Sequence, residues 1–338
     1  MNQLYPLKFK PIFKEKIWGG NRLKSILNKR FKDGKKIGES WEISGIEGNL
    51  SVVENGFLAG NDLQEIIEVY MGDLVGERIY EQFGLEFPLL IKFIDATEVL
   101  SVQVHPDDAL AAKHHNTLGK TEMWYIIHSE KNSKIISGFN HEMDKHHYLH
   151  HLNNNELQGI LNYHDTRPGD VFYIPSGRIH AIGGGVLLAE IQQSSDITYR
   201  IYDWDRKDEK GNSRELHNEF ALDAIDFKKY DNYKINYKLN KNQSSKILST
   251  RYFQANSIVL DKKTELNYNL LDSFVIFMCI EGEFEIEYYE TERVNIKKGE
   301  TVLVPAVIEQ INLVPVVESK VLEIYIPDTT DEYSDSEK

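Results

Sequence analysis

Short runs rich in Val, Ile, Tyr and Phe recur between turn signals along most of this 338-residue sequence. Runs of this length and composition are typical of β-strands, and their spacing predicts a mainly β chain built as a sandwich or barrel. Successive side chains of a strand point to opposite faces, so residues two apart are expected to share a face. The clearest strand signals lie at residues 50–53, 99–104, 123–127, 171–174, 186–191 and 197–202.

Helical signals are few and short. Asp62 is a good N-cap for a helix over residues 62–70, where apolar residues recur at helical spacing. A second helix is predicted over residues 106–115, since proline is tolerated at the first helical position. A third is predicted over residues 216–227. We therefore expect a mainly β fold with a few short helices.

The β-rich sequence falls into two blocks, separated by a connector dominated by Asn, Lys and Tyr at residues 229–249. The segment Gly-Asp-Val-Phe-Tyr-Ile-Pro at residues 169–175 resembles Gly-Glu-Thr-Val-Leu-Val-Pro at residues 299–305. Two copies of one barrel explain this similarity. We predict a first domain over residues 1–235, a second over 236–327, and a disordered acidic tail over 328–338.

Charge and hydropathy exclude several classes of function. The net charge of −14 argues against nucleic acid or an anionic membrane as the main partner, so any site for an anion has to be locally positive. The longest apolar run, residues 274–280, is too short to span a bilayer, and the N-terminus has no signal-peptide pattern. Cys279 is alone, which excludes an internal disulfide. Together these features predict a cytoplasmic protein.

Four polar residues have the spacing of a metal site. Residues 169–180 read G-x5-P-x-G-x2-H, which predicts a strand, a tight turn and a new strand beginning at His180. Gln103 and His105 share one strand face, and Glu122 begins another strand. Two imidazoles, one carboxylate and one amide suit zinc or another borderline metal. With zinc, the remaining positive charge of the site favours an anionic intermediate. The alternative is four unrelated buried polar residues.

This pattern resembles the metal motifs of the cupin superfamily, which implies two cupin-like jelly-roll β-barrels. Gln103 stands where the first cupin motif usually has a histidine, and a helical insertion separates His105 from Glu122. In the second block the corresponding histidine and glycine positions hold Gln310 and Val307. We therefore expect the second cupin domain to lack metal ligands.

Longer strings are similar to type I mannose-6-phosphate isomerase in its short bacterial form. They are Ile-Trp-Gly-Gly at residues 17–20, Gly-Glu-Ser-Trp-Glu-Ile-Ser at 38–44, Leu-Ile-Lys-Phe-Ile-Asp-Ala at 90–96, Leu-Ser-Val-Gln-Val-His-Pro-Asp-Asp at 100–108, Gly-Lys-Thr-Glu at 119–122 and Ser-Asp-Ile-Thr-Tyr-Arg at 195–200. The similarity is strong over residues 5–205 and looser up to residue 327. One departure is Thr121, where longer members of the family have proline.

The resemblance implies interconversion of mannose 6-phosphate and fructose 6-phosphate, with residues 1–235 as the catalytic domain. It also implies one zinc ion per chain, bound by Gln103, His105, Glu122 and His180. Arg200 falls on the active-site arginine of the family, and Lys120 falls on its active-site lysine.

The expected chemistry fits these residue types. Aldose–ketose isomerisation passes through an enediolate, which zinc, Arg200 and Lys120 can stabilise as preorganised positive charges. Glu190 is a candidate base whose pKa burial would raise, with zinc-bound water and Lys120 as rivals. Lys92 and Ser101 are candidates for binding the substrate phosphate. An equally good interpretation of Lys92 is an ordinary charged side chain at the edge of the sheet.

Two other classes of function compete with the isomerase. A different metal-dependent cupin enzyme, such as an oxygenase, would have no use for Lys120 and Arg200 beside the metal. A non-catalytic sugar-binding cupin would bind without turnover and need not keep an open metal position. An isomerase acting on free mannose or another hexose phosphate also fits the residues. The sequence does not fix an oligomeric state.

Two features are interpreted as structural. The histidines at 141, 146, 147, 150 and 151 lie among lysine and asparagine residues, and we interpret them as a solvated face rather than a metal site. Cys279 lies in an apolar strand, where a small core residue is expected rather than a nucleophile.

Overall fold

The fold is mainly β, as predicted, in a computed structural model that describes residues 3–207 and 211–328. Residues 329–338 of the predicted acidic tail lie outside the described residues. The strands are β1 Leu7–Lys8, β2 Ile12–Gly20, β3 Ile37–Ile43, β4 Leu89–Ala96, β5 Val102–Val104, β6 Glu122–Ser129, β7 Lys134–Phe139, β8 Leu161–Asp165, β9 Val171–Ile174, β10 His180–Ile182, β11 Val186–Gln193, β12 Tyr199–Tyr202, β13 Ser245–Ser249, β14 Gln254–Leu260, β15 Thr264–Asn267, β16 Val275–Tyr288, β17 Glu292–Lys297, β18 Thr301–Val304 and β19 Gln310–Tyr325.

The helices are short and lie between the strands. Asp62 caps the second of them with a capping box, in which its side chain accepts from the Glu65 backbone while the Glu65 side chain accepts from Asp62. The predicted helices over 62–70, 106–115 and 216–227 correspond to α2, α5 and α8. The helices are α1 Arg22–Ser25, α2 Leu63–Tyr70, α3 Gly72–Val75, α4 Glu77–Phe83, α5 Asp108–His115, α6 Lys145–Asn153, α7 Leu157–Ile160 and α8 Asn218–Ala224. None of the described helices is long and apolar enough to cross a membrane.

Two antiparallel sheets form the first half of the molecule. A six-stranded sheet has the order β2-β3-β4-β11-β6-β9, and a five-stranded sheet has the order β12-β5-β10-β7-β8. Their inner faces meet in an apolar core that includes Trp18, Ile94 and Trp124 from the first sheet and Ile135 from the second. The metal site predicted from the sequence lies on these inner faces.

The outer faces of the two sheets are covered differently. Helices α6, α7 and α8 cover the five-stranded sheet, where Tyr148 and Ile160 pack against Val104 and Ile201. The six-stranded sheet packs instead against the second half of the chain, in one continuous core that includes Phe93. The six-stranded sheet is therefore buried on both faces.

The second half is an eight-stranded sheet in which β16 and β19 are the central strands. Strand β1 joins this sheet by pairing with β18, although residues 1–235 are predicted as the first domain. The chain passes between the two halves in the predicted connector, where the Ile235 amide donates to Val171 and the Asn242 amide donates to Val259. The last five residues of that predicted connector form strand β13.

Local differences from the sequence predictions have simple causes. Residues 50–53 form only isolated bridges, between Val52 and Asp62 and between Phe9 and Val53, because turns lie close on both sides of the segment. Helices α3 and α4 were not predicted, since glycines with positive φ at Gly76 and Gly84 keep each of them short. Cys279 is fully buried, as predicted for a core residue.

Candidate metal centre

One row of side chains across the five-stranded sheet begins the site. Gln103 in β5 is paired on one side with His180 in β10 and on the other with Arg200 in β12. Val102 and Val104, the neighbours of Gln103, belong to the outer core, so the row faces inward. His105 follows directly after β5. The sequence prediction that Gln103 and His105 share a face is thus consistent with the sheet register.

Glu122 reaches the same point from the opposite sheet, as the first residue of β6. Its carboxylate oxygens lie 3.2 Å from His105 Nε2 and 4.0 Å from His180 Nε2. The Gln103 amide nitrogen lies 3.2 Å from His180 Nε2. Ligand atoms of His105, Glu122 and His180 all lie within 4.8 Å of one another, and all three residues are buried. The four predicted ligands therefore converge on one point between the sheets.

Backbone carbonyls fix the orientation of both imidazoles. Nδ1 of His105 lies 2.8 Å from the Ile197 carbonyl oxygen, and Nδ1 of His180 lies 2.8 Å from the Arg178 carbonyl oxygen. A carbonyl only accepts, so each Nδ1 carries the proton and each Nε2 presents a lone pair to the centre. Metal-binding histidines are commonly oriented in this way. Turning the Gln103 amide over would present its oxygen to the same point.

The charge states of these groups suit a metal ion. Burial, reinforced by the charge of Lys120, lowers the pKa of His105, and burial with His105 nearby lowers the pKa of His180 to about 3. Burial alone would raise the pKa of Glu122, but Lys120 and His105 hold it well below its usual range. Two neutral imidazoles and one carboxylate are the protonation states that metal binding requires.

The centre also leaves buried polar atoms without partners. Among the described residues, nothing hydrogen-bonds His105 Nε2 or either carboxylate oxygen of Glu122. The Lys120 ammonium, 3.3 Å from Oε1, offsets part of the cost of burying this carboxylate, and a cation between these atoms would supply the missing contacts. This donor set of two nitrogens and one carboxylate fits zinc or a similar borderline metal.

Two cations predicted from the sequence flank the centre. Lys120 is buried, and its Nζ lies 3.3 Å from Glu122 Oε1. Arg200 is half-buried: its Nη1 donates to the Glu215 carbonyl oxygen at 2.8 Å. Its Nε is buried without a hydrogen-bond partner within residues 3–207 and 211–328. Burial lowers the pKa of Arg200, and the nearby Arg214 adds to this effect.

Glu190 and Lys92 form a buried ion pair on the inner face of the six-stranded sheet. Lys92 Nζ donates to Glu190 Oε2 at 2.8 Å and to Gln192 Oε1 at 2.5 Å, while Trp124 Nε1 donates to Glu190 Oε1 at 2.8 Å. Burial raises the pKa of Glu190, and the neighbouring Glu122 raises it further. Burial would lower the pKa of Lys92, but the nearby carboxylates Glu190, Glu39 and Glu122 together outweigh it, and the net direction is upward.

The remaining predicted residues are less central. Ser101 is buried directly before β5. Gln310 lies exposed at the start of β19. The histidines of α6 are mostly exposed: His147 contacts Asp144, and His151 contacts Glu156.

Sequence reasoning missed three inner-face residues beside Lys92. Trp41 pairs with Lys92 across β3 and β4, and its indole nitrogen donates to Glu39 at 2.6 Å. Trp124, two residues after Glu122, occupies the same strand face. The two-residue spacing from Glu122 therefore predicts from the sequence alone that Trp124 lies on the inner face. Trp41 and Glu39 required the register between β3 and β4, which no local pattern supplies.

Comparison with known proteins agrees with this geometry. Residues 6–121 match the family model for the catalytic domain of type I phosphomannose isomerase, and residues 243–318 match that for the cupin domain of mannose-6-phosphate isomerase. The chain is 38% identical over 312 residues to mannose-6-phosphate isomerase ManA of Bacillus subtilis, which covers 89% of this chain and 93% of that protein. It is 41% identical over 225 residues to mannose-6-phosphate isomerase of Streptococcus mutans, covering 65% and 67%.

Solved structures extend the similarity to the whole fold. The crystal structure of mannose 6-phosphate isomerase from Bacillus subtilis superposes with a TM-score of 0.84 at 32% identity, covering 94% of this chain and 99% of that one. A putative mannosephosphate isomerase from Archaeoglobus fulgidus shares the fold, with a TM-score of 0.78 at 22% identity. The resemblance seen in the sequence is confirmed, and the chain belongs to the type I mannose-6-phosphate isomerase family.

Proposed function

We propose that this protein interconverts mannose 6-phosphate and fructose 6-phosphate through an enediolate, with one zinc ion held by Gln103, His105, Glu122 and His180. The observation that carries the proposal is the convergence of two neutral imidazoles on a buried carboxylate that has no hydrogen-bond partner in the described part of the chain. When bound there, zinc supplies Lewis-acid polarisation of the sugar oxygens.

The proton transfer is assigned to Glu190. The reaction removes a proton from C2 of the aldose and delivers it to C1 to form the ketose. The base therefore has to accept the proton, hold it without losing it to water, and donate it again. A carboxylate with a raised pKa performs both steps, and burial gives Glu190 that property. Trp124 and Lys92 hold its two oxygens in place. Lys120, which lies beside Glu122, is the rival base within the chain.

Two cations stabilise negative charge on the substrate. Lys120 and Arg200 approach the centre from different elements, so one can face the developing oxyanion while the other faces the phosphate. Lys92 and Ser101 are the further phosphate candidates. Lys92 already donates to Glu190 and Gln192, which leaves its charge and one remaining N–H for substrate.

The test is an isomerase assay on metal-replete and chelator-stripped protein, with mannose 6-phosphate, free mannose and glucose 6-phosphate offered side by side. We expect turnover of mannose 6-phosphate alone, lost on stripping and restored by zinc. Zinc-loaded protein that turns over none of the sugars would overturn the isomerase and favour a sugar-binding protein. Oxygen consumption dependent on iron would favour an oxygenase.

A further inference from the structure

A cavity of about 540 Å³ lies on the outer side of the six-stranded sheet. Residues 8–13, 27–30 and 297–301 contribute to its lining, so both halves of the chain form it. We call it the interdomain cavity. Lys29 lines it, and the Lys29 ammonium lies 5.3 Å from the ring of Phe93, which belongs to the core shared with the second half. Lys92, the neighbour of Phe93, points to the metal side, so the sheet separates the two sites.

A buried ion pair forms part of the cavity wall. Lys29 Nζ donates to Glu42 Oε2 at 2.6 Å, and the Ser40 hydroxyl donates to Glu42 Oε1 at 2.6 Å. Lys29 and Glu42 are only 7% and 4% exposed. An ammonium has three donor hydrogens, and within the described residues only Glu42 accepts one from Lys29. Two buried donors therefore remain for a ligand in the cavity.

Among the charged residues of the lining, which also includes apolar side chains such as Phe9 and Phe13, positive charges outnumber negative ones. Lys8, Lys29, Arg30, Lys297 and Lys298 face three glutamates, although the whole chain has a net charge of −14. Lys8 is paired with Glu300 at 2.7 Å, and Lys297 lies 3.6 Å from Glu283. Arg30 and Lys298 have no ion-pair partner among residues 3–207 and 211–328. Two unpaired cations beside the buried Lys29–Glu42 pair suit a small anion that also carries hydroxyl groups.

We propose that the interdomain cavity is a second binding site, for a small phosphorylated polyol or sugar. Arg30 and Lys298 would bind the phosphate. Lys29 would donate hydrogen bonds to the hydroxyl groups, and Glu42 would accept hydrogen bonds from them. The volume lies within the usual range of roughly 300–1,000 Å³ for small-molecule sites, which often lie between domains. The proposal is independent of the metal chemistry, because the site lies on the other face of the sheet.

Sorbitol 6-phosphate is the test ligand, because it has no carbonyl group and cannot be isomerised. Calorimetric titration of the intact, zinc-loaded protein is expected to show a second binding event besides the one at the metal centre. Arg30→Ser/Lys298→Ser should weaken that event by about tenfold or more, since charge-assisted hydrogen bonds are lost. Sorbitol without phosphate should not bind there, and inorganic phosphate should compete.

Lys246→Ser/Lys262→Ser is the matched control, because it removes the same charge from exposed positions outside the cavity. It should leave both binding events intact. The Arg30/Lys298 variant should keep its isomerase rate, which shows that it is folded. A titration in which Arg30→Ser/Lys298→Ser weakens no binding event would overturn the proposal, whether or not the metal centre also binds the ligand.

Discussion

The six-stranded sheet carries a buried lysine–glutamate pair on each face, and the surroundings of the two pairs differ. On the inner face, Lys92 Nζ lies 2.8 Å from one carboxylate oxygen of Glu190, and Trp124 Nε1 donates a hydrogen bond to the other. On the outer face, Lys29 lies 2.6 Å from Glu42 beside the interdomain cavity. The first pair lies within a connected polar network next to the metal centre, and the second faces open space between the two halves of the chain.

Neither pair is explained by stability. Burial raises the pKa of both Glu190 and Glu42, which means that the lysine partners do not fully offset the desolvation of the carboxylates. On the inner face this cost has a use in the proposed reaction, since a base with a raised pKa suits proton transfer. On the outer face the proposed reaction has no use for the charge. A ligand in the interdomain cavity would give the Lys29–Glu42 pair a function of its own.

The sharpest test of the difference is Glu190→Gln, for which we expect the largest effect. Removing a general base should lower kcat by about 10²–10⁴-fold. The amide keeps an acceptor for Trp124, but the buried Lys92 ammonium loses its nearest carboxylate, so the free energy of unfolding should fall. The loss should be smaller than for a buried charge left without any counter-charge, because Glu39 and Glu122 still attract Lys92. Steady-state kinetics and denaturant unfolding measure the two quantities.

Glu42→Gln is the matched control, because it makes the same chemical change on the other face. We expect its kcat to equal that of the unmodified protein. A native kcat in Glu190→Gln, or an equal loss of kcat in both variants, would contradict the assignment of different roles to the two faces.

Removing the lysine of the outer pair should have the largest effect on stability. Lys29→Met leaves the Glu42 carboxylate buried without its cation, which we expect to lower the free energy of unfolding by about 3–5 kcal/mol. Adding Glu42→Gln should recover most of that loss, because no charge then stays buried. Urea unfolding of the two single variants and the double variant completes the cycle. Additive effects of the two substitutions would show that Lys29 and Glu42 are not coupled.

The metal centre was largely predictable because its ligands are set by local patterns. The motif ending at His180 fixes a strand, a turn and a strand, and the two-residue spacing of Gln103 and His105 fixes a shared face. Glu122 begins β6 as the sequence indicated. Arg200 lies in β12, and because Tyr199 before it packs in the outer core, alternation along the strand places Arg200 on the inner face.

The outer face was not predictable because its features depend on pairing between distant segments. Lys29 lies in the loop after α1, and nothing near it in sequence indicates that it meets Glu42 in β3. Strand β1 has only two residues, Leu7 and Lys8, and its pairing with β18 spans almost the whole chain. Local composition reports which segments form strands, but not which distant strands they join.

The pH dependence of stability gives a smaller effect that also separates the faces. The pKa of Glu42 is raised in the folded state, so the folded protein binds more protons than the unfolded chain from about pH 4.5 upward. Its contribution to the free energy of unfolding is therefore fully present below that pH. It is lost as the pH rises through the folded pKa, by at most roughly 1.4 kcal/mol per pH unit. Glu42→Gln should remove this dependence of the free energy of unfolding on pH. Urea unfolding of the variant and of the unmodified protein between pH 4 and 8 measures the difference.

Glu190→Gln should remove a slope of the same sign, because the pKa of Glu190 is also raised. Part of that rise comes from repulsion by Glu122, which a bound metal cation would neutralise. Zinc loading should therefore reduce the pH dependence of the free energy of unfolding that Glu190→Gln removes. The pH dependence that Glu42→Gln removes should be the same with and without zinc. Equal responses of the two slopes to zinc would contradict the separation of the two faces. A response confined to Glu190 would show that the sheet insulates the Lys29–Glu42 pair from the charge at the metal centre.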